Sequence, residues 1–181
     1  MRKIVAGLFI SLDGVVEAPE TWHFPYLNDE MGQAVAAQMQ AADALLLGRH
    51  TYDAFAAHWP HQDATKDPMA ATLNAAPKYV VSTTLTTPTW ANTTVIAGEP
   101  RKELIRLKQA PGKDIGMSGS PTLVTWLLRE GLLDELNLLV HPIVLGRGRR
   151  LFDDGIGQIP LTLTRSATFS TGVLNLTYTR A

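Results

Sequence analysis

Short apolar runs recur along much of the chain, and each has the length of a β-strand. The longest, residues 3–10, is almost continuously hydrophobic, as in a strand that is buried on both faces. Similar runs predict strands at residues 44–47, 79–82, 93–97 and 114–117. Such continuous runs are typical of parallel strands with helices on both sides, so the pattern predicts an α/β sheet.

Helical patterns lie between these strands. Asn28 can cap a helix whose first turn holds Asp29 and Glu30. The apolar positions of this helix follow at near-helical intervals, at Met31, Val35, Met39 and Ala42. A second, shorter helix is predicted at residues 49–57, since Pro60 prevents its continuation.

Two later helices carry end signals. Pro100 stands near the start of one, and Pro111 lies beyond its end. The other has Ser120 as its predicted N-cap, Pro121 at its first position and Gly131 at its end. Helices and strands therefore alternate as far as residue 131, apart from the two successive strands at residues 79–82 and 93–97.

After residue 134 the pattern changes to alternation of apolar and polar positions. Residues 135–145 predict one strand, and residues 161–169 and 172–179 predict a hairpin around a Ser-Thr-Gly turn. We therefore expect one domain over residues 1–181, with a mixed, mostly parallel central sheet and antiparallel C-terminal strands.

Composition excludes several classes of function. The chain has 16 basic and 17 acidic residues, so no global field favours nucleic acid or an anionic membrane. It has no cysteine, and the proline between His58 and His61 breaks their helix face, so no metal site is expected. No run approaches the ~18 apolar residues of a membrane span, and Asp13 interrupts the N-terminal run. A cytoplasmic protein that binds neither nucleic acid nor membrane is predicted.

Small polar residues follow four of the predicted strands, at residues 11–14, 48–51, 82–84 and 118–120. In open α/β sheets, ligands bind beyond the carboxyl ends of the parallel strands, so these segments should meet at one edge. Two of them open helices, whose free N–H groups attract anions. Together they predict a site for a phosphate-bearing cofactor, although a junction of this kind taken singly is more often only a capped turn.

The junction after residue 47 carries the chemistry most clearly. Gly48 permits close backbone approach, Arg49 offers a bidentate fork for a phosphate, and Thr51 can donate its hydroxyl hydrogen. A buried strand thus leads directly into three groups suited to an anion.

The same segments resemble known reductases. "LLLGRHTYDAF" resembles the strand-helix junction that holds the NADPH phosphates in dihydrofolate reductases. "SLDG", "SGSPTL" and "HPIVLGRGRRLF" are similar to the reductase domain of the bifunctional riboflavin-biosynthesis deaminase-reductases, and most similar to its stand-alone bacterial relatives. The match runs along nearly the whole chain and implies a dihydrofolate reductase-like three-layer fold.

The resemblance also implies an activity. It points to an NADPH-dependent reductase of a small pterin- or aminopyrimidine-like substrate, similar to 5-amino-6-(5-phosphoribosylamino)uracil reductase. A nucleotide-binding protein of the same fold without its own turnover is the alternative, and a purely structural subunit is a third possibility. Fold analogy does not identify the substrate.

Carried over by position, the resemblance implies a set of cofactor-binding residues. Those at the phosphates and the adenosine end are Gly48, Arg49, His50, Thr51, Ser82, Thr83, Ser118, Gly119 and Ser120. The family usually has a Gly-Gly pair with a cis peptide at the last of these segments. This chain has Ser-Gly-Ser there, and a non-proline cis bond costs about 2.5–4 kcal/mol, so the resemblance leaves open whether this loop has a cis bond.

Three carboxylates are candidates for the catalytic acid. The resemblance places Asp13 beside the nicotinamide, although a simple Asp-Gly turn explains it equally well. Glu17 lines the same opening or is a solvated loop charge. Asp29 lies near the substrate-binding acid of dihydrofolate reductases, although the helix dipole alone explains an aspartate in the first turn.

Aromatic residues mark a candidate substrate site in residues 22–26. Trp22 and Phe24 could stack on a heterocycle, or they could form a hydrophobic staple. The resemblance places the glycine- and arginine-rich loop at residues 146–150 near the substrate opening. The apolar segment at residues 132–145 and the late strands predict a homodimer formed through the C-terminal strands.

Overall fold

An eight-stranded sheet forms the centre of the protein, as seen in a computed structural model that describes residues 1–181. The strands are β1 Ile4–Ser11, β2 Ala42–Gly48, β3 Lys78–Val81, β4 Thr93–Ile96, β5 Asp114–Met117, β6 Glu135–His141, β7 Leu161–Thr168 and β8 Leu174–Arg180. Their order across the sheet is β4-β3-β2-β5-β1-β6-β8-β7. Strands β2 and β5, which are far apart in sequence, are therefore neighbours.

Helices cover both faces of this sheet. They are α1 Asp29–Ala41, α2 Arg49–His58, α3 Pro68–Ala75, α4 Pro100–Gln109 and α5 Pro121–Glu130. The leucines of α4 and α5 pack against one face, with alternate β1 residues such as Ile4 and Leu8. On the opposite face Met31 of α1 packs with Leu139 and Phe9. The predicted three-layer α/β fold is confirmed. None of the helices has the length and hydropathy needed to cross a membrane.

Strands β1 to β6 are joined by parallel pairing, whereas β8 pairs antiparallel with both β6 and β7. The prediction of a mostly parallel sheet with antiparallel C-terminal strands is thus confirmed. Strand β6 is the last parallel strand and runs in the same direction as β1. The reason is that α5 crosses over the sheet between β5 and β6, and such a crossover returns the chain in the same direction. The strand also stops at His141 rather than at residue 145, because Pro142 cannot donate to the ladder.

Two local features differ from the sequence-based expectation. Ala42 does not belong to α1 but begins β2, where it pairs with Asp114, and its amide donates to the Met39 carbonyl oxygen at the end of α1. Helix α3 was not predicted. Its N-cap Asp67 accepts hydrogen bonds from two amides of the first turn, and Pro68 follows at the first helical position. The start signal was present, but two helical turns are too short for a recognisable apolar periodicity.

A buried lysine anchors β3, which pairs with β2. Lys78 is fully buried, and its Nζ donates to the carbonyl oxygens of Asn74, Ala76 and Ala91 at 3.1, 2.7 and 3.1 Å. The ammonium also lies 4.3 Å from the ring centroid of Trp90. Burial lowers the pKa of Lys78 to about 8. Three carbonyl oxygens and an aromatic face thus hold the first residue of β3 in place, at the end of the strand opposite the candidate site.

Candidate active site

The loops that follow β2 and β5 meet at the carboxyl edge of the sheet. The Gly48 amide donates to the Gly119 carbonyl oxygen with an N···O distance of 3.4 Å. A Cβ atom at Gly48 would collide with the side chain of Ser120, and one at Gly119 would lie 2.6 Å from Thr51 Oγ1. Both glycines are therefore required for this close approach, and the structure brings together four of the predicted cofactor residues.

The peptide bond between Gly119 and Ser120 is cis. The sequence left open whether this loop has the cis bond found in the reductases it resembles, and the structure has one.

Two helices begin at this junction without a side-chain cap. Gly48 precedes α2 and has no side chain, and Ser120 occupies the N-cap position of α5 but makes no capping hydrogen bond. The predicted position of Ser120 was right and its predicted capping bond was wrong, because its side chain faces Gly48 instead. The free N–H groups at the start of two ten-residue helices produce a positive potential that suits an anion.

Arg49 lies at the rim of this junction. Its Nε donates to both carboxylate oxygens of Asp53 at 2.9 and 2.8 Å, and one terminal nitrogen donates to Thr84 Oγ1 at 3.3 Å. Ser82 is buried, and its hydroxyl accepts hydrogen bonds from the amides of Thr84 and Leu85 at 3.2 and 3.0 Å. The loop after β3 thus extends the junction formed by β2 and β5.

The other predicted cofactor residues are more open to solvent. His50, Thr83 and Ser118 are all exposed beside these loops. Their positions fit contact with a large ligand, but no protein contact holds their side chains in a particular orientation.

Asp13 organises the loop that follows β1. Its carboxylate accepts hydrogen bonds from Ser11 Oγ at 2.6 Å and from the amides of Leu145 and Gly146 at 3.1 and 2.8 Å. The Ser11 hydroxyl and then these two amides lower the pKa of Asp13 to about 2. At neutral pH this group is a carboxylate that ties two loops together, so its environment does not favour proton donation. Arg150 adds a donor to the Asp13 carbonyl oxygen at 2.9 Å.

The other two candidate acids lie in different surroundings. Glu17 accepts a hydrogen bond from a backbone amide of the loop at residues 145–149, at 3.0 Å, so it contacts the same loop as Asp13. Asp29 is exposed at the start of α1, and its neighbour Glu30 instead binds the β7–β8 turn. The structure joins Asp13 and Glu17 through one loop, and Asp29 forms no hydrogen bond with either.

An aromatic cluster lies beside the segment that follows β1, on the face of the sheet that α1 covers. Its members are Phe9, Trp22, His23, Phe24, Tyr26 and His141. Trp22 is buried and meets the His141 ring edge-on, with centroids 5.1 Å apart, whereas Phe24 is 59% exposed. The two predicted substrate residues therefore belong to one cluster, one inside it and one at its surface.

Sequence reasoning missed His141 as a member of this cluster. The residue ends β6 and pairs in register with Ser11 at the end of β1. The alternation of β6 places it on the same face as Leu139, and a parallel assignment of β6 would have placed its end at the ligand-binding edge. No three histidine, aspartate or glutamate side chains converge as metal ligands anywhere in the structure.

Comparison with known proteins gives the family. A family model for the RibD C-terminal domain matches residues 2–175. The chain belongs to the RibD C-terminal domain family. The YyaP protein of Bacillus subtilis (strain 168) is 30% identical to it over 186 aligned residues, which cover 98% of this chain and 94% of YyaP. The resemblance inferred from the four sequence segments is thus confirmed.

Solved structures show the same fold for this RibD C-terminal domain. A Shewanella sp. PV-4 protein named for riboflavin biosynthesis has a TM-score of 0.80 at 21% identity over 99% of both chains. A Thermotoga maritima diaminohydroxyphosphoribosylaminopyrimidine deaminase/5-amino-6-(5-phosphoribosylamino)uracil reductase has a TM-score of 0.68 at 12% identity, over 99% of this chain and 57% of that one. Dihydrofolate reductase of Enterococcus faecalis, complexed with NADP(H), gives 0.63 at 12% identity, over 98% and 96% of the two chains. The fold is therefore dihydrofolate reductase-like.

Proposed function

We propose that this RibD C-terminal domain is an NADPH-dependent reductase of a small pterin- or aminopyrimidine-like heterocycle. The observation that carries the proposal is the junction where Gly48 and Thr51 meet Gly119 and Ser120. The N-termini of α2 and α5 have no side-chain cap there, and Gly48 and Gly119 carry no side chain that would cover the backbone. The backbone amides are therefore open to a pyrophosphate. The residues present therefore fit a dinucleotide.

Each part of the cofactor has candidate residues. The pyrophosphate would lie between residues 48–51 and 118–120, and the Arg49 guanidinium would meet the 2′-phosphate with Ser82 and Thr83 beside it. His50 and Ser118, exposed beside these loops, would contact the cofactor from outside. When bound, NADPH supplies a hydride from its nicotinamide ring.

The substrate would bind next to the loop that Asp13 holds. Trp22 and Phe24 supply aromatic surface for a flat ring. Asp13 and Glu17 would position the loop at residues 145–149, since both accept hydrogen bonds from its backbone. Asp29 has a carboxylate free of hydrogen bonds within the protein, so we assign it the role of binding substrate or relaying a proton.

A binding protein without turnover is the second candidate. It is favoured by one observation, that the two carboxylates beside the loop after β1, Asp13 and Glu17, are both engaged with backbone amides. Hydride transfer needs a proton source but tolerates water in that role, so this observation does not decide between the two functions.

The test is a cofactor titration followed by single-turnover kinetics. Quenching of tryptophan fluorescence should report NADPH binding at micromolar concentration. Stopped-flow absorbance should then show NADPH oxidation on addition of 5-amino-6-(5-phosphoribosylamino)uracil or a dihydropterin. Binding without oxidation by any such acceptor would favour the second candidate, and no binding at millimolar NADPH would refute both.

We also propose that the protein is a cytoplasmic homodimer. The edge strand β7 is exposed along almost its whole length, and Leu163 and Leu174 are 49% and 37% exposed. Such an unpaired edge with apolar side chains favours association with a second copy. The C-terminal hairpin is therefore the proposed interface.

A further inference from the structure

Two histidines in the aromatic cluster each have a ring nitrogen without a hydrogen-bond partner. They are Nε2 of His141, a residue that is fully buried, and Nδ1 of His23, which is 9% exposed. Buried polar atoms are nearly always paired, because leaving one unpaired costs free energy comparable to a lost hydrogen bond. Two such atoms in one cluster, with ring centroids 6.2 Å apart, indicate a site built for a polar occupant.

The state of His141 follows from its other nitrogen. Its Nδ1 lies 2.8 Å from the Leu139 carbonyl oxygen, which can only accept, so Nδ1 carries the hydrogen. Burial lowers the pKa of His141, which keeps the ring neutral at pH 7. Nε2 therefore presents a lone pair, and its natural partner is an N–H donor.

His23 lies beside the His141 ring, with the ring centroids 6.2 Å apart, in the manner of a flat heterocycle. Its ring stacks on Phe9 with centroids 4.6 Å apart and an interplanar angle of 13°. Phe24 lies against it at 4.3 Å with a tilt of 36°. The ring is thus held between aromatic groups while its own Nδ1 gains no hydrogen bond.

The segment that carries His23 can move without disturbing the sheet. His23 lies between two short 3-10 turns, Pro19–Thr21 and Phe24–Tyr26, and no strand or α-helix includes it. The His23 amide donates to the Pro19 carbonyl oxygen and the Tyr26 amide donates to the His23 carbonyl oxygen, both at 2.9 Å, so rotation of the His23 side chain alone can leave these local bonds and the sheet intact. Burial also lowers the pKa of His23, which favours the neutral ring, so moving the side chain into solvent does not require a charge to leave the cluster.

We propose that the slot filled by the His23 ring, against Phe9, is the binding position for the planar ring of the substrate. His141 Nε2 would then accept a hydrogen bond from an N–H or amino group of that ring, and His23 would swing out. This inference rests on the proposed function for its substrate class. It adds His141 as a specificity-determining residue and His23 as a displaceable plug, and it requires an occupant with a donor at the edge of a flat ring.

The test measures binding of one probe, 5,6-diaminouracil, by calorimetry with and without saturating NADPH. His23→Ala should bind the probe about three- to tenfold more tightly than the wild type, because no ring must be displaced. His141→Phe keeps a flat ring but loses the acceptor, so binding should weaken about tenfold, the usual effect of one buried hydrogen bond. His141→Gln retains an acceptor and should restore most of the affinity. His61→Phe, at an exposed histidine, is the matched control and should change nothing.

A second measurement guards against a variant that fails to fold. In the wild-type protein, the ¹⁵N resonance of His141 Nε2 should shift when the probe is added, as expected for a lone pair that gains a donor. The inference is overturned by an unmoved resonance, by equal binding to His141→Phe and wild type, by equal or weaker binding to His23→Ala, or by no binding to wild type and His23→Ala at millimolar probe. NADPH affinity is measured separately, so loss of cofactor binding with intact probe binding would count against the proposed function alone.

Discussion

Replacing Arg49 by alanine tests the proposed cofactor preference. The guanidinium lies at the rim of the β2–α2 junction, where Asp53 holds its Nε and one terminal nitrogen reaches Thr84. The remaining terminal N–H groups are free to meet a 2′-phosphate. Arg49→Ala removes that contact and leaves the backbone amides at Gly48 and Gly119 in place.

The size of the effect follows from the contact and its neighbours. A hydrogen bond to a charged group contributes about 1.5–3 kcal/mol, which corresponds to about 10- to 100-fold in affinity. Asp53 already neutralises part of the positive charge of Arg49, so we expect the lower end, about tenfold weaker NADPH binding. NADH lacks the 2′-phosphate, so its affinity should change by less than about twofold.

Folded stability should change little in this variant. The Arg49 and Asp53 side chains are 37% and 49% exposed, and an exposed pair of this spacing contributes about 0.3–0.5 kcal/mol. A change in cofactor affinity therefore cannot be ascribed to unfolding. Urea denaturation of the variant provides the check.

The assay is a pair of dissociation constants, for NADPH and NADH, measured by fluorescence at fixed salt. Arg106→Ala is the matched control, because it removes an exposed arginine that pairs with Glu103 in the last turn of α4, away from the junction. Thr51→Val is the complementary variant. It removes a hydroxyl beside Gly119 and should weaken both cofactors equally, by about tenfold, through the shared pyrophosphate.

Three outcomes would refute the assignment of Arg49. Equal weakening of NADPH and NADH by Arg49→Ala would move its contact from the 2′-phosphate to the pyrophosphate. Unchanged binding of both cofactors would remove Arg49 from the site. A tenfold loss in Arg106→Ala would show that the effect comes from net charge alone.

Three further predictions concern stability, loop order and assembly. Lys78→Met should lower the free energy of unfolding at pH 7 by about 2 kcal/mol in urea titrations, because three buried carbonyls lose their donor. As pH rises from about 8 to about 10.4, the free energy of unfolding of the wild type should rise further above that of the variant. In this range the folded state has already released the Lys78 proton, whereas the unfolded state still holds it. Asp13→Asn should speed hydrogen exchange at the Leu145 and Gly146 amides, because they lose a charged acceptor. The wild type should lose the same protection against exchange as pH falls from about 4 towards about 2, because the Asp13 carboxylate becomes protonated in that range. Leu163→Lys should convert the proposed dimer into a monomer in light scattering.

Each of these predictions has a clear contrary result. Equal or greater stability of Lys78→Met would mean that desolvation of the ammonium outweighs its three hydrogen bonds. Unchanged exchange in Asp13→Asn would mean that the loop is held without the carboxylate. A wild-type particle of 19.7 kDa would refute the dimer.

Local sequence signals determined most of the elements in this protein. The apolar run at residues 3–10 predicted β1, and the Asn28 cap predicted the start of α1. Both signals can be recognised within a few residues, because strand patterning and helix capping depend on residues that are close in sequence. The same holds at Gly48, where a strand leads directly into a helix and leaves its N-terminus open. The junction between β2 and α2 could therefore be predicted from the sequence, and so could the helix that Ser120 precedes.

Tertiary structure decided which of these elements meet. Gly48 and Ser120 are in contact because β2 and β5 are neighbours, although three helices and two strands separate them in sequence. His141 joins the aromatic cluster because the α5 crossover makes β6 parallel to β1. Asp13 is an ionised loop anchor because residues 145–146 turn back onto it. An apolar pattern indicates that a strand is buried, but it does not indicate which strand lies beside it. The choice of neighbour depends on the packing of the whole core.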